Sequence, residues 1–400
     1  MSLLPVAEAL SRVLAGARPV TETLDVPLLD ALGLVLARDV ISTIDVPPMD
    51  NSAMDGYALR AAEAGQPLPV SQRIPAGAVG APLAPVSAAR IFTGAPVPEG
   101  ADAVVMQENC TEESGTVSVT GDVHAGQNIR PRGQDIAAGE TVLPAGRVLR
   151  PQDMGLLASV GCDTVTVVRP LRVAVLSTGD ELAEPGTDAL REGGIYNSNR
   201  YTLAGLLRAL NMEFVDCGIV ADTAEATAQA LLDAAARADC VITTGGVSVG
   251  EEDHVKAQVE RLGRLDLWKL AIKPGKPLAF GSIGNTAFIG LPGNPTSVFV
   301  TFCLVARPFL RAMQGVVEPA PAPLHARAAF AVARAGSRQE YLRVTLENTA
   351  QGLAACRYDN QSSGVLSSVS HSNALAIIPA GTTVDPGDAV EVLLLDALTR

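Results

Sequence analysis

The sequence predicts a multidomain protein in which a doubly wound, mostly parallel α/β domain is combined with β-rich domains. Its 400 residues exceed what a single hydrophobic core usually organises. Between residues 171 and 318 strands alternate with helices, a pattern typical of a parallel sheet covered on both faces. Elsewhere, short apolar runs are interrupted by many of the 37 glycines and 27 prolines, which favours β-structure with tight turns.

The first 140 residues divide into a partly helical segment and a β-rich domain. Apolar residues from Val6 to Leu14 recur at helical spacing, and the segment ends in the turn sequence DVPP at 45–48. Short runs such as AVVM and VSVT then follow, separated by Gly and Pro. We therefore predict a barrel-like β-rich domain at 47–140.

The alternating region at 171–318 contains five predicted strands and four predicted helices. The strands are 172–176, 213–220, 240–242, 265–270 and 287–289, and the helices are 201–210, 224–236, 255–262 and 297–313. This order predicts the doubly wound domain. After the proline-rich stretch PAPAP, alternating residues return in YLRVTL and AVEVL, so 319–400 is predicted to be a small C-terminal β-domain.

Composition excludes several classes of function. The net charge is −13, and such a surface repels nucleic-acid backbones and anionic membranes. The six cysteines form no CxxC pair and no secretory leader is evident, so we expect reduced thiols in a cytoplasmic protein. The longest strongly apolar stretch, 298–306, is far shorter than the roughly 18 residues of a membrane span, so we expect no membrane insertion.

The loops that follow the predicted strands carry the residues most suited to chemistry. In a parallel sheet, ligands bind outside the carboxyl ends of the strands. The loop at 243–250 supplies hydroxyl and glycine residues that suit a phosphate cradle: Thr243, Gly245, Gly246, Ser248 and Gly250. A simple tight turn between strand and helix is the alternative. Neither a Walker A motif nor GxGxxG is present, which disfavours an ordinary ATPase or NAD enzyme.

Charged residues lie at the same predicted edge. Lys269, Lys273 and Lys276 fall in or beside one proline-stiffened loop and could neutralise phosphate, although a solvated hairpin has the same pattern. Asp180 and Glu181 follow the first strand, and Asp253 follows the glycine-rich loop. Two carboxylates with substrate phosphates suit Mg²⁺, while helix capping explains the same residues structurally. The four scattered histidines do not support a zinc site.

The β-rich domain has its own dense polar motifs. These are MDNSAMDGY at 49–57, FTGAPVPEG at 92–100 and NIRPRGQD at 128–135. The first residues of the first motif suit simple Asx turns. Asp55, between Met54 and Gly56, has less structural explanation and is a candidate functional carboxylate.

These motifs together resemble the molybdopterin molybdenumtransferase family, which includes the C-terminal domain of gephyrin. The resemblance is carried, in order, by DNSAMDGYA, FTGAPVPEGADAVVMQE, STGDEL, TTGGVSVGEED, KLAIKPGKP and GLPGNP. It implies that the doubly wound domain is of the molybdopterin-binding type. It also implies an N-terminal stalk domain, made of residues 1–46 with 141–170.

The resemblance implies an enzyme that takes molybdate and adenylylated molybdopterin, cleaves the adenylate, and releases AMP with molybdenum bound to the dithiolene. Mg²⁺ is the implied ion. The implied assembly is an elongated homodimer in which the doubly wound domain of one protomer faces the β-rich domain of the other. Transient contact with the adenylyltransferase and with molybdoenzymes is also implied.

Particular residues match the functional positions of the family. The implied catalytic residues are Asp55, Thr93, Asp135, Glu181, Asp222 and Asp253. The implied substrate contacts outside the glycine-rich loop are Lys269, Lys273, Lys276, Pro292, Pro295, Arg130, Arg343 and Ser363. Pro131 and Gln134 depart from a stretch that is usually more charged, and Glu252 and His254 flank the matched Asp253.

Two alternatives belong to other classes. The doubly wound domain alone also resembles molybdopterin adenylyltransferases and related nucleotide-cleaving proteins, which use a similar glycine-rich loop but lack DNSAMDGYA. A scaffold is the second alternative, because the related gephyrin domain binds receptor tails. The absence of a long disordered linker in this sequence disfavours the scaffold.

Overall fold

A seven-stranded mixed sheet forms the centre of the doubly wound domain. The computed structural model describes residues 3–186, 190–246, 254–317 and 321–399. In spatial order, the strands of this sheet are Leu3–Leu4, Gly263–Leu270, Pro277–Ile283, Thr286–Leu291, Cys240–Thr244, Arg172–Thr178 and Glu213–Val220. Pro277–Ile283 runs antiparallel to both of its neighbours, and the other six strands share one direction. Their carboxyl ends therefore meet at one edge.

Helices cover both faces of this sheet, which confirms the doubly wound class. They are Val6–Ala15, Ser198–Ala209, Ala224–Arg237, His254–Leu262 and a last helix that runs from Pro295 to Met313. Leu203 and Phe302 are buried on one face, and Leu231 and Val259 on the other. The last helix contains a π-helical segment, Phe302–Ala306. It has the length and hydropathy of a membrane span, but 78% of its apolar window is buried inside the protein.

The structure differs from two of our sequence assignments in this domain. Strand Pro277–Ile283 was not predicted; it follows the basic loop and buries Leu278, Ala279 and Ile283. The first residues were assigned to the stalk, but Leu3–Leu4 extends the central sheet and helix Val6–Ala15 packs beside it. The helix lies in this domain because its apolar face packs there: Ala9 and Val13 are fully or almost fully buried in the core of the doubly wound domain.

The segments that flank the β-rich domain pair with one another. Thr23–Pro27 is antiparallel to Thr164–Val168, and Val40–Ile41 is antiparallel to Thr141–Leu143. Helix Pro151–Ser159 and the short 3-10 helix Leu28–Asp30 complete this region. Its own core includes Leu36, Leu157 and Val167.

The β-rich domain is built on a barrel-like sheet of six strands. Their order is Ala103–Met106, Gly56–Leu59, Ala88–Ile91, Leu68–Ile74, Thr116–Val119 and Cys110–Glu113. A ribbon of Asn51–Ser52 and Ile129–Arg130 is paired beside it, and two 3-10 helices lie at Ala61–Glu63 and Gln107–Asn109. The barrel-like character predicted from the sequence is confirmed.

The C-terminal domain is a closed β-barrel. Around the barrel the strands are Gln339–Thr349, Gly352–Arg357, Leu324–Ala328, Ala389–Leu394 and Ala374–Ile378, and the last pairs back with the first. Short helices lie at Ser367–Ser370 and Leu395–Thr399. Ile272–Lys273 of the doubly wound domain adds a parallel strand to the edge of Gln339–Thr349. The two domains are therefore joined at the predicted basic loop.

Candidate active site

A cavity of about 900 Å³ opens at the edge where the parallel strands of the doubly wound domain end. Turns that follow three strands line it, together with the loop after Gly263–Leu270 and the segment 361–364 of the C-terminal domain. A further strand pair, Leu182–Ala183 with Ile195–Tyr196, borders it. The cavity brings together eight residues singled out from the sequence: Glu181, Gly245, Gly246, Lys273, Lys276, Pro292, Pro295 and Ser363.

Two glycine turns face each other in the cavity wall. Gly245 and Gly246 have φ angles of +85° and +65°, which L side chains rarely adopt. The Gly245 amide donates to the Leu291 carbonyl at 3.2 Å. A Cβ added to Gly293 would lie 3.8 Å from the Gly245 Cα. The backbones are therefore close to one another, and a ligand can approach their polar groups without obstruction by side chains.

Two helices begin at this cavity. Asn197 caps Ser198–Ala209 by accepting from the Arg200 amide at 3.3 Å, and Asn199 donates to the Gly293 carbonyl at 2.7 Å. Pro295, the first residue of the last helix, also lines the cavity. Helix N-termini carry partial positive charge, so both helices favour an anion here.

The basic loop adds full positive charges. Lys273 and Lys276 are exposed and line the cavity. The chain has four lysines in all, so lysine is unusual outside this region. Lys273 Nζ lies 3.2 and 3.3 Å from the two carboxylate oxygens of Glu340. Gly275 has a φ of +104°, and a Cβ there would lie 2.4 Å from Thr301 Oγ1, so the loop crosses the last helix in close contact.

The predicted carboxylates of this domain occupy different positions. Glu181 lines the cavity, and its carboxylate lies against Gly179, where an added Cβ would be 2.6 Å from Oε2. Asp180 is exposed beside it but is not part of the cavity lining. Asp222 is exposed just before Thr223, which caps helix Ala224–Arg237, and also lies outside the lining.

Asp55 and Thr93 meet in the β-rich domain. Asp55 Oδ1 accepts from both the Thr93 amide and the Thr93 hydroxyl, each at 2.8 Å. These two bonds, with the charge of Arg90, lower the pKa of the Asp55 carboxyl. Asp55 is therefore an exposed carboxylate that is held ionised and in one orientation.

Arg90 holds together the two turns that carry this pair. It donates to the Gly56 carbonyl at 2.9 Å and to Gln107 Oε1 at 2.6 Å. Its guanidinium lies 4.7 Å from the ring centre of Phe92 and 5.1 Å from that of Tyr57. Cation–π contacts of this kind hold the guanidinium and the two aromatic rings together. Sequence analysis did not identify Arg90, because its role depends on contacts across three strands.

Several predicted residues are not in the cavity lining. Thr243 is fully buried within strand Cys240–Thr244, so the neighbouring Thr244 lines the cavity instead. Lys269 lies within strand Gly263–Leu270, before the loop begins. Arg130 and Asp135 are exposed in the β-rich domain. The predicted residues Ser248, Gly250 and Asp253 lie outside the described part of the chain.

Arg343 is buried inside the C-terminal domain and does not line the cavity. It is 1% exposed, and its guanidinium donates to Ser368 Oγ at 3.0 Å and to the Tyr341 and Ser362 carbonyls at 3.2 and 3.4 Å. Burial lowers its pKa to about 10, so it stays charged at neutral pH. It therefore fixes the segment that contains Ser362 and the cavity residue Ser363.

Other residues that line the cavity were missed from the sequence. They are chiefly Arg338, Asn197, Asn199 and Ser362. Arg338 Nη1 donates to the Ile272 carbonyl at 3.0 Å, which places a third cation beside the two lysines. The charged pair in SRQEY, at the start of a C-terminal strand, is the only local signal in the sequence. It does not show that the barrel edge reaches the basic loop.

Comparisons with known proteins agree with this architecture. A model described as the MoeA N-terminal region, domains I and II, matches residues 4–161. A model described as a probable molybdopterin binding domain matches 174–312, and one described as the MoeA C-terminal region, domain IV, matches 325–395. The adenylyltransferase alternative is not favoured, because the first and third regions also match.

Full-length relatives give the same result. The chain is 45% identical over 318 residues to the molybdopterin molybdenumtransferase of Haemophilus influenzae, covering 78% of each chain. It is 38% identical over 391 residues to that of a Nostoc species, covering 94% of this chain and 89% of the relative. A crystal structure of the molybdopterin biosynthesis MoeA protein of Pyrococcus horikoshii superposes with a TM-score of 0.86 at 32% identity, covering 98% of this chain and all of that one. The chain belongs to the molybdopterin molybdenumtransferase family of enzymes, which act in molybdenum cofactor biosynthesis.

Proposed function

We propose that this enzyme transfers molybdenum from molybdate to adenylylated molybdopterin and releases AMP. The observation that carries the proposal is the cavity, where two glycine turns, two helix N-termini and three cations converge. Molybdate and phosphate are both oxyanions, and such donors bind oxyanions through charge-assisted hydrogen bonds. The 900 Å³ volume is large enough for a nucleotide-sized ligand.

The chain's own residues would hold the substrate and stabilise developing charge. The amide of Gly246 and the ammonium groups of Lys273 and Lys276 would bind the phosphates. Arg338 and Ser363 would bind from the side of the C-terminal domain. Groups fixed in advance stabilise the charge that develops when the phosphoanhydride is cleaved, because they need little reorganisation. Water would supply the oxygen for this cleavage, leaving one phosphate on AMP and one on molybdopterin, so no attack by a protein carboxylate is required.

Mg²⁺ fits the donor set at Asp180 and Glu181. Within the described ranges, no group of three or more His, Cys, Asp or Glu side chains is placed to enclose a metal. Mg²⁺ commonly binds one or two carboxylates and completes its shell with water and substrate phosphate. Asp180 and Glu181 would therefore hold the ion, which would supply positive charge at the phosphoanhydride when bound. Asp253, outside the described residues, remains a proposed third ligand.

We infer that a complete site requires a homodimer. Asp55, Thr93 and Asp135 are not in the lining of the cavity formed by their own chain. Asp55 is nevertheless exposed, oriented and held ionised, which suits a group that acts on a ligand bound elsewhere. A second copy would bring this carboxylate to the cavity of its partner. Asp222 and Arg130 are proposed to contribute from the edges of the same site.

The remaining inferences concern the surroundings of the enzyme. We propose that it works in the cytoplasm and meets the adenylyltransferase and the molybdoenzymes transiently. The six cysteines are free thiols, which fits a reducing compartment. The net charge of −13 disfavours a role on nucleic acid or anionic membranes.

The first test measures AMP release from adenylylated molybdopterin, with molybdate and Mg²⁺ each present or omitted. We expect molybdate-dependent release and a product that reconstitutes an apo-molybdoenzyme. Absence of AMP release under every condition would contradict the proposal.

The second test combines Asp55→Asn with the double variant Lys273→Met and Lys276→Met, at substrate concentrations too low to fill the weakened cavity. If each site combines groups from two chains, each heterodimer regains one intact site, and a statistical mixture, half of it heterodimers, has about a quarter of wild-type activity. If both groups act within one chain, no activity returns. Coexpression and size-exclusion chromatography check that mixed dimers form.

A further inference from the structure

We propose that Glu340 is an internal counter-ion of the oxyanion site. Its carboxylate pairs with Lys273 until an incoming oxyanion displaces it, and so lowers the affinity of the cavity and limits its preference for doubly charged ligands. The inference rests on the proposed function, because it assumes that the cavity binds oxyanions.

The geometry places the carboxylate where a ligand oxygen would otherwise bind. Lys273 Nζ is within 3.3 Å of both Glu340 oxygens. The Lys273 side chain is 50% exposed and lines the cavity, whereas the Glu340 side chain is 19% exposed. The ammonium can therefore contact a ligand in the cavity while the carboxylate lies behind it.

The backbone fixes this carboxylate relative to the lysine. Ile272–Lys273 pairs in parallel with Gln339 and Glu340. Arg338 donates to the Ile272 carbonyl at 3.0 Å, and the Gln339 amide donates to the Ala271 carbonyl at 2.9 Å. The position of Glu340 thus follows from the joint between the two domains rather than from the ion pair alone.

Within the described residues, neither Arg338 nor Arg343 forms an ion pair with Glu340. The nearby Arg343 donates to Ser368, to the Tyr341 carbonyl and to the Ser362 carbonyl. In the described ranges, Lys273 is the ion-pair partner found for Glu340. A ligand that takes the ammonium must therefore compensate for the loss of this pair, and it is also repelled by the carboxylate in proportion to its own negative charge.

The use of lysine at position 273 fits displacement. An ammonium is a compact charge with three donors, so it can turn from one acceptor to another. A guanidinium would bind the carboxylate through two parallel bonds and remain there. The chain otherwise uses arginine for most of its cations.

The experiment titrates the intact protein with molybdate, a tetrahedral dianion, and with perrhenate, a tetrahedral monoanion, using calorimetry. Glu340→Gln removes the internal charge, so we expect molybdate to bind about 3-fold to 10-fold more tightly. We expect molybdate to gain more than perrhenate, because the Glu340 charge repels a dianion more strongly than a monoanion, and the discrimination between them therefore rises. Lys273→Arg should weaken binding of both anions. Glu391→Gln, an exposed glutamate on another strand of the same barrel, is the matched control and should change neither.

The outcomes separate this inference from the proposed function. Unchanged or weaker molybdate binding in Glu340→Gln, with normal binding in the control, would overturn the role of Glu340. If the double variant Lys273→Met and Lys276→Met still weakens binding in that case, the oxyanion site itself stands. If the wild-type protein binds neither anion, the proposed function fails and the inference fails with it. Circular dichroism and thermal unfolding verify that each variant is folded.

Discussion

The cavity of the doubly wound domain and the Asp55 turn of the β-rich domain are organised in opposite ways. The cavity is concave, and backbone turns, helix ends and a loop of positive residues form its wall. The Asp55 turn presents one exposed carboxylate, fixed by Thr93 and braced by Arg90. We therefore expect the first region to bind an anion by itself. The second is expected to act on a ligand that another surface holds.

From this difference we expect the cavity to bind the substrate and the Asp55 turn to take part in the chemical step. Anion binding tolerates exchange among several donors, because amides and cations share the charge. A single oriented carboxylate has no such redundancy. Substitutions in the Asp55 turn should therefore affect turnover, and substitutions in the cavity should affect affinity first.

The largest expected effect is that of Asp55→Asn. We expect molybdenum insertion to fall by about 100-fold or more, because the charge is lost while the Thr93 bonds can persist. Oxyanion affinity should stay within about 2-fold of wild type. Initial rates and calorimetry measure the two quantities. Asp122→Asn, an exposed acid in another turn of the same domain, is the control. A large loss of affinity with normal turnover would reverse the comparison.

The double variant Lys273→Met and Lys276→Met should have the next largest effect. Loss of two charge-assisted contacts is expected to weaken AMP and molybdate binding by about 10-fold to 100-fold. Equilibrium binding at fixed ionic strength measures it. Because these cations lie on an exposed loop, thermal stability should change little. Unchanged affinity would show that the backbone donors bind the anion without the two lysines.

Gly275→Ala tests whether the close contact between the basic loop and the last helix is needed for oxyanion affinity. The added Cβ would meet Thr301 Oγ1 at 2.4 Å in a backbone conformation with a φ of +104°. We expect a loss of about 1–3 kcal/mol in the free energy of unfolding and a weaker oxyanion affinity, by about 3-fold to 10-fold. Gly284→Ala is the matched control: its φ is +56°, but its Cβ would meet no atom within 4 Å. Equal loss of affinity in both variants would exclude the contact as the cause.

Thr93→Val should have the smallest effect and acts through pH. The variant removes one of the bonds that lower the pKa of Asp55, so that pKa rises. Asp55 is ionised above its pKa, and the acid limb of the activity profile therefore moves to higher pH by less than about one unit. Thr93→Ser restores the hydroxyl and should restore the limb. A shift to lower pH would contradict the assignment.

A structural feature could be predicted from the sequence where a local pattern of residues indicates it. Alternation of strands and helices and the glycine-rich turns are local, so the doubly wound class and the edge that carries Gly245 and Pro292 were predictable. Strand Pro277–Ile283 was missed because nothing in its apolar pattern distinguishes it from a loop packed in the core. Helix Val6–Ala15 was predicted as a helix, but its partner is about 300 residues away in sequence, at Arg307–Met313.

The candidate site shows the same limit. Lys273 and Lys276 were predicted to bind anions because their loop follows a strand. Arg338 and Glu340 were not, since they reach the loop only through pairing between two domains. Thr243 and Arg343 fit the motif in sequence, yet their side chains are buried. A motif specifies residue types and spacing, whereas the direction of each side chain depends on the packing around it.

The pairing of Val40–Ile41 with Thr141–Leu143 has a consequence for how such a chain can be rearranged. The two strands bring the entry and exit of the β-rich domain side by side, and the Ser42 amide donates to the Glu140 carbonyl at 2.9 Å. Replacing the intervening residues with a short turn would therefore cost little loop-closure entropy. We therefore expect that the β-rich domain can be exchanged between relatives at these two strands, with Asp55 carried along and neither core redesigned.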